Sequence, residues 1–203
     1  IPDEAAEIVL PDDTRLRVRL VDCVGYMVRG ALGTSEGDAR RMVRTPWFDH
    51  DIPFDQAAEL GTRKVITEHS TLGIVVTTDG SITDISRAAY EEPEERVINE
   101  LKQLGKPFAV VLNCAQPDTP AARELSAELS RRYDTPVVAL NVLEATQDDM
   151  RALLEQVLYE FPITRVHFDT PDWLGALPDG HPLLEEMTQA VREALEGASR
   201  MRD

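Results

Sequence analysis

From residue 54 to residue 158, helical stripes alternate with short runs that are apolar on both faces: "LGIVVTT" (72–78), "FAVVLN" (108–113) and "PVVALNV" (136–142). A strand apolar on both faces must be covered on both, and strands joined through helices run parallel. The alternation therefore dictates an α/β class, with a buried, mostly parallel sheet and helices on both faces. The helices have marked ends. One runs from about Glu94 to Leu104, with Val97, Ile98, Leu101 and Leu104 on one side, and stops at Gly105 and Pro107. The next opens with Thr119 as N-cap and Pro120 at its first position, turning Ala122, Leu125 and Leu129 inward. A third opens with a capping box from Thr146 to Asp149 and carries Met150, Leu153, Leu154, Val157 and Leu158 on one face.

Ahead of this alternation, Glu7 to Leu10 and Arg15 to Asp22 read as a hairpin around the turn "PDDT", and a helix is expected from about Phe54 to Glu68. The connection from Tyr26 to Pro53 is long enough to be a mobile functional loop or an insertion. From Pro162 the character changes. A short strand "ITRVHFD", a Pro/Gly-rich stretch and an amphipathic helix with Leu183, Leu184, Met187, Val191 and Leu195 follow. Residues 1–161 are thus expected to form one domain and 162–203 the start of the next.

Charge narrows the partners. Twenty-one Lys and Arg against 37 Asp and Glu give a net charge of −16, which repels nucleic acid and anionic lipid from most of the surface. Cys23 and Cys114 form no CxxC, His50, His69, His167 and His181 are scattered, and the low cysteine count suits a reducing cytosol. The chain begins "IPDEAAEIVL", without an initiator methionine or signal peptide, and reads as an internal piece of something longer.

The candidate chemistry lies in "RLVDCVGY" (19–26). A hairpin whose second strand ends in Asp-x-x-Gly, followed by alternating helices and strands, is the order of a Ras-like nucleotide triphosphatase that lacks its first strand, phosphate loop and first helix. There Asp22, at the end of a buried strand, would hold a water on Mg²⁺, and Gly25 would let a backbone N–H approach the γ-phosphate. The plainer alternative is that Asp22 caps a turn and Gly25 supplies a positive φ. Two features cut across the nucleotide reading. No G-x-x-x-x-G-K-[ST] frames Lys64, Lys102 or Lys106, and "GTSEGDAR" (33–40) has no lysine. The strand that would end in Asn-Lys-x-Asp ends instead in "NCAQPD", with Asn113 in place but Asp118 five residues on. A guanine-reading carboxylate is therefore missing, which favours adenine or no base. Arg63 is a candidate for stabilising transition-state charge or a surface arginine, and "TTDGSITD" (77–84) is a ligand-edge turn or a helix cap. Trp47, Phe48 and Trp173 are partner contacts or aromatic satellites of the core.

Longer strings go further. "RLVDCVGY", "TPWFDHDIPF", "AAELGTRKVITEHSTLGIVVTTDGSITDI", "EERVINELKQLGKPF" and "YEFPI" closely resemble the ATPase domain of the stage IV sporulation protein A family, which acts in spore-coat morphogenesis. The resemblance implies a P-loop fold related to the TRAFAC GTPases, truncated here at its N-terminus, that hydrolyses ATP with Mg²⁺ to drive assembly of a homopolymer. It implies a site in the mother-cell cytoplasm at the outer forespore membrane, as the basement layer of the coat. Its implied partners are a small amphipathic membrane-anchoring protein and other coat proteins. Only the Mg²⁺-motif aspartate carries over residue by residue, onto Asp22, and Gly25 carries over by motif. The enzyme reading stands beside two others, a non-catalytic docking module with a vestigial pocket and a stand-alone regulatory domain. By itself the chain is expected to hydrolyse nothing and to dimerise, exchange strands or be poorly soluble, because a missing strand and helix would expose apolar sheet surface.

Overall fold

In the computed structural model, which describes residues 3–9, 13, 15–33, 35–36 and 39–203, the chain opens with an antiparallel hairpin of β1 (Ala6–Val9) and β2 (Arg15–Val18). The expected turn residues Pro11 and Asp12, and the expected strand end Leu10, lie outside the described residues. Two short antiparallel pairs follow in the long connection. Strand β3 (Ser35–Glu36) pairs with β4 (Ala39–Arg40), and β5 (Met42–Val43) pairs with β6 (Ile52–Pro53). Helix α1 (Phe54–Lys64) then runs into a π-helical turn at Val65–His69, so the single helix expected over this stretch changes its hydrogen-bond period near its end.

The parallel sheet is built from β7 (Gly73–Thr78), α2 (Glu91–Gln103), β8 (Phe108–Asn113), α3 (Pro120–Tyr133), β9 (Val137–Leu140) and α4 (Gln147–Tyr159). Its strand order is β7-β8-β9. Strand β8 lies in the middle, and Phe108 through Leu112 are all buried. One face packs Val75, Val110 and Leu112 against Ile98 and Leu101 of α2 and Ala122, Leu129 and Tyr133 of α3. The other packs Ala109, Val111 and Leu140 against Leu153 and Val157 of α4. The expected helix ends are present. Thr119 Oγ1 accepts the Ala122 N–H at 3.3 Å, Gly105 takes a φ of +63°, and Thr146 and Asp149 cap each other reciprocally, with bonds of 2.8 and 3.2 Å.

One expectation needs correction here. The hairpin does not join the parallel sheet but forms a two-stranded sheet of its own, and β2 stops at Val18, four residues before Asp22. A ladder extends only as far as its partner, and β1 offers just four residues on one side with none on the other. Asp22 therefore sits in an irregular segment and not at the end of a buried strand.

The chain forms two compact units, Ile1–Val157 and Leu158–Asp203. Within the second, "ITRVHFD" is not a strand; the only pairing there is an isolated bridge from Pro162 to Arg200. The buried Glu160 carboxylate takes Arg200 at 2.8 Å and Arg202 at 3.2 Å, and the expected amphipathic helix is α5 (Pro182–Leu195). No helix among the described residues is long and apolar enough to cross a membrane.

Candidate functional site

Strand β7 has one open edge. The Gly73 N–H donates to the Pro107 carbonyl, so by the alternation of a parallel ladder the backbone groups of Ile74, Val76 and Thr78 point away from β8. Among the described residues nothing pairs with them. Beside this edge is a cavity of about 410 Å³, lined by residues 73–77 of β7, by Val97 and Leu101 of α2, by Thr62 of α1 and by residues 21–26 of the loop. Thr62 is 1% exposed and its hydroxyl has no hydrogen-bond partner. A buried hydroxyl left unpaired costs free energy, so the cavity wall carries an unsatisfied polar group.

Asp22 and Gly25 are thus brought to one wall of the cavity whose other wall is the β7 edge. Gly25 has a φ of +83°, and a Cβ there would meet nothing within 4 Å. Its backbone conformation, not crowding, calls for glycine. Asp22 is exposed and has no hydrogen-bond or ion-pair partner among the described residues, so it does not cap a turn. An unengaged carboxylate fits Mg²⁺, which is commonly held by one or two carboxylates and several waters and makes up its shell from substrate phosphates. No group of three or more His, Cys, Asp or Glu gathers into a metal cage among the described residues.

The loop is tied down by one side chain. The Tyr26 hydroxyl donates to Glu100 of α2, and Arg96 of the same helix lies over the phenol ring, 4.0 Å from its centroid. Arg96 in turn grips Glu59 of α1 at 2.8 and 3.4 Å. Burial first, and the Glu100 hydrogen bond second, push the Tyr26 phenol well above its ordinary range, which keeps it a proton donor.

A second network anchors the end of β7. Arg87 donates to both Glu94 oxygens at 2.6 and 2.8 Å and to Thr77 Oγ1 at 2.9 Å, while the Tyr133 hydroxyl donates to Glu94 at 2.7 Å. Burial alone would raise the Glu94 carboxyl, but the hydrogen bonds from Arg87, Thr77 and Tyr133 outweigh it and hold the group below its ordinary value. The turn after β7 closes on itself and on β8. Gly80 N–H donates to Thr78 Oγ1, Ser81 donates to Asp79, and the Ala115 N–H donates to Ser81 Oγ at 2.9 Å. Asn113 Oδ1 accepts the Val142 N–H at 3.0 Å and so fastens the β8 loop to the β9 loop, and Asp118 is engaged by Arg123 at 3.1 Å.

The remaining candidates are scattered. Arg63 is exposed on α1. Trp47 lies against Gly61, where a Cβ would come within 3.4 Å of the indole, and Lys64 sits over its ring. Phe48 tilts against His50, and Trp173 belongs to the second unit. Sequence reasoning passed over Tyr26, Glu100, Arg87, Glu94 and Thr62. The one available signal was that Tyr26 follows Gly25 directly; long-range polar pairs leave no periodic mark.

The family model described as stage IV sporulation protein A, ATPase domain, matches residues 1–162. Proteins named stage IV sporulation protein A from Bacillus subtilis (strain 168), Bacillus anthracis and Clostridioides difficile (strain 630) are each 45% identical to the chain over 203 residues. The match covers 100% of the chain and 41% of each relative, so the chain spans less than half the length of the proteins it matches. No solved structure matches the chain.

Proposed function

We propose that this chain, which belongs to the stage IV sporulation protein A ATPase-domain family, supplies the magnesium-side loop and the outer half of the sheet of an ATP-hydrolysing domain. The observation that carries this is the shared cavity: the Asp-x-x-Gly loop and β7 line the same space, and the Asp22 carboxylate is engaged by no other described residue. On this reading the fold is a Ras-like P-loop sheet, and a phosphate-loop strand lies beside β7. That strand would pair with the backbone groups of Ile74, Val76 and Thr78 and satisfy the Thr62 hydroxyl. Residues 162–203 open the module that follows.

Asp22 would hold Mg²⁺ through a water, and the ion, when bound with ATP, neutralises charge on the β- and γ-phosphate oxygens. Gly25 keeps the loop backbone free of a Cβ at the cavity wall. The base would be adenine, since Asn113 spends its carbonyl oxygen on Val142 and Asp118 is turned to Arg123. In the whole protein, hydrolysis would drive self-assembly into the basement layer of the spore coat at the forespore surface. A small amphipathic membrane-anchoring protein and other coat proteins would dock there, with no role for nucleic acid.

The test is ATP turnover by the full-length protein carrying Asp22→Ala. A fall of roughly a hundredfold or more is expected, the scale for removing a charge-organising group. Unchanged turnover would overturn the magnesium role. The alternative reading is a non-catalytic docking module of the coat with a vestigial nucleotide pocket. Sedimentation of the full-length protein separates the two, since the enzyme reading requires ATP for assembly and the docking reading does not.

A further inference from the structure

We propose that Tyr26 is the positioning residue of the Asp-x-x-Gly loop, its phenol clasped by Glu100 and Arg96 of α2 so that Asp22 is held at the cavity wall. The inference rests on the reading of Asp22 given above.

Residues 19–27 make no backbone hydrogen bond to the rest of the described chain, and within that stretch Tyr26 alone makes a side-chain hydrogen bond. The segment also lacks buried residues, so packing does little to fix it. The clasp is built from opposite directions. Arg96 and Glu100 stand one turn apart on α2, so the carboxylate takes the hydroxyl while the guanidinium covers the ring. The Arg96 Nε also approaches Glu100 at 3.8 Å, and Glu59 anchors the guanidinium from α1. The loop is thereby joined to both helices that flank the cavity. Four residues of chain reach at most about 14 Å, so a fixed Tyr26 confines Asp22 to a small volume, with Gly25 as the pivot between them. The raised phenol keeps its proton throughout the physiological range and so never ceases to donate.

The experiment compares full-length wild type, Tyr26→Phe, Glu100→Gln and Glu100→Ala, with Asp22→Ala as control of the underlying reading. Two quantities are read: hydrogen exchange of residues 19–28 without nucleotide, and the Mg²⁺ concentration that half-saturates ATP hydrolysis. Tyr26→Phe keeps the ring and loses one hydrogen bond to a charged group. Exchange in the loop should speed up several-fold and the Mg²⁺ midpoint should rise about three- to tenfold. Glu100→Ala should match it, and Glu100→Gln should fall between, since the amide oxygen still accepts the hydroxyl. Faster exchange with a wild-type midpoint in Tyr26→Phe would reduce the clasp to a structural contact and overturn the proposal, as would wild-type behaviour in both. If Asp22→Ala fails while Tyr26→Phe behaves as wild type, only the clasp falls. If Asp22→Ala hydrolyses normally, the magnesium role itself falls.

Discussion

The parallel sheet and the opening hairpin are built by opposite means. In β8 every residue from Phe108 to Leu112 is buried between helices on two faces, whereas neither β1 nor β2 has a buried residue and their sheet is two strands wide. Two-stranded sheets are marginal alone, and the loop after this one is held by the Tyr26 side chain, while the parallel sheet depends on burial. The difference teaches where chemistry can reside in this fold. Residues that carry the core have no freedom to meet a ligand, and Asp22 has that freedom because little but Tyr26 holds its segment.

The largest effect that would test this contrast is expected at Glu94, where the buried region depends on polar bonds as well. Glu94→Ala leaves Arg87 in a site where it is 17% exposed and strips acceptors from Tyr133 and Arg87. Breaking one side of a buried pair costs about 3–5 kcal/mol, which urea unfolding would show as a large drop in midpoint. The pH dependence has a definite sign. The folded carboxyl lies below its ordinary 4.5, so the unfolded chain binds the proton more readily. The contribution is complete above about pH 4.5 and is lost as pH falls through the folded value. Glu94→Ala should therefore flatten the acid limb of the stability curve, and an unchanged limb would show that the network is not what holds α2 to β7.

A pair of identical substitutions sharpens the comparison within one sheet. Val110 is fully buried and Val76 is 62% exposed, although both lie in runs that read alike as buried strand. Val110→Ala should cost about 2 kcal/mol and Val76→Ala less than about 0.5 kcal/mol in the 203-residue chain. In the full-length protein the second figure should rise toward the first if a further element covers that part of β7. Equal, small costs at Val76 in both would count against the phosphate-loop strand beside β7.

This pair also marks how far the sequence could be read. The alternation of stripes and apolar runs located β7, β8, β9 and their helices because each is decided by local periodicity and caps, such as Thr119 with Pro120 and Gly105 with Pro107. The exposure of Val76 was not legible, since it depends on what lies beside and above β7 and not on β7 itself. Asp22 and Gly25 were found by motif, yet their strand context was misjudged because strand length depends on the partner. Tyr26 with Glu100 is separated by 74 positions and Glu94 with Tyr133 by 39, distances over which no pattern operates.

The smallest effect belongs to the hairpin. Arg15 pairs with Glu7 across β1 and β2 at 3.3 Å, with side chains 73% and 50% exposed. Solvent screens such a pair, and the entropy of fixing two long side chains offsets most of the attraction, so Arg15→Ala should change stability by no more than about 0.5 kcal/mol. Measured beside Glu94→Ala under the same urea titration, the two substitutions remove the same kind of contact, an arginine bonded to a glutamate. If Arg15→Ala cost as much as Glu94→Ala, the hairpin would have to be as firmly packed as the sheet, and the contrast between a buried sheet and a segment held by one side chain would be lost.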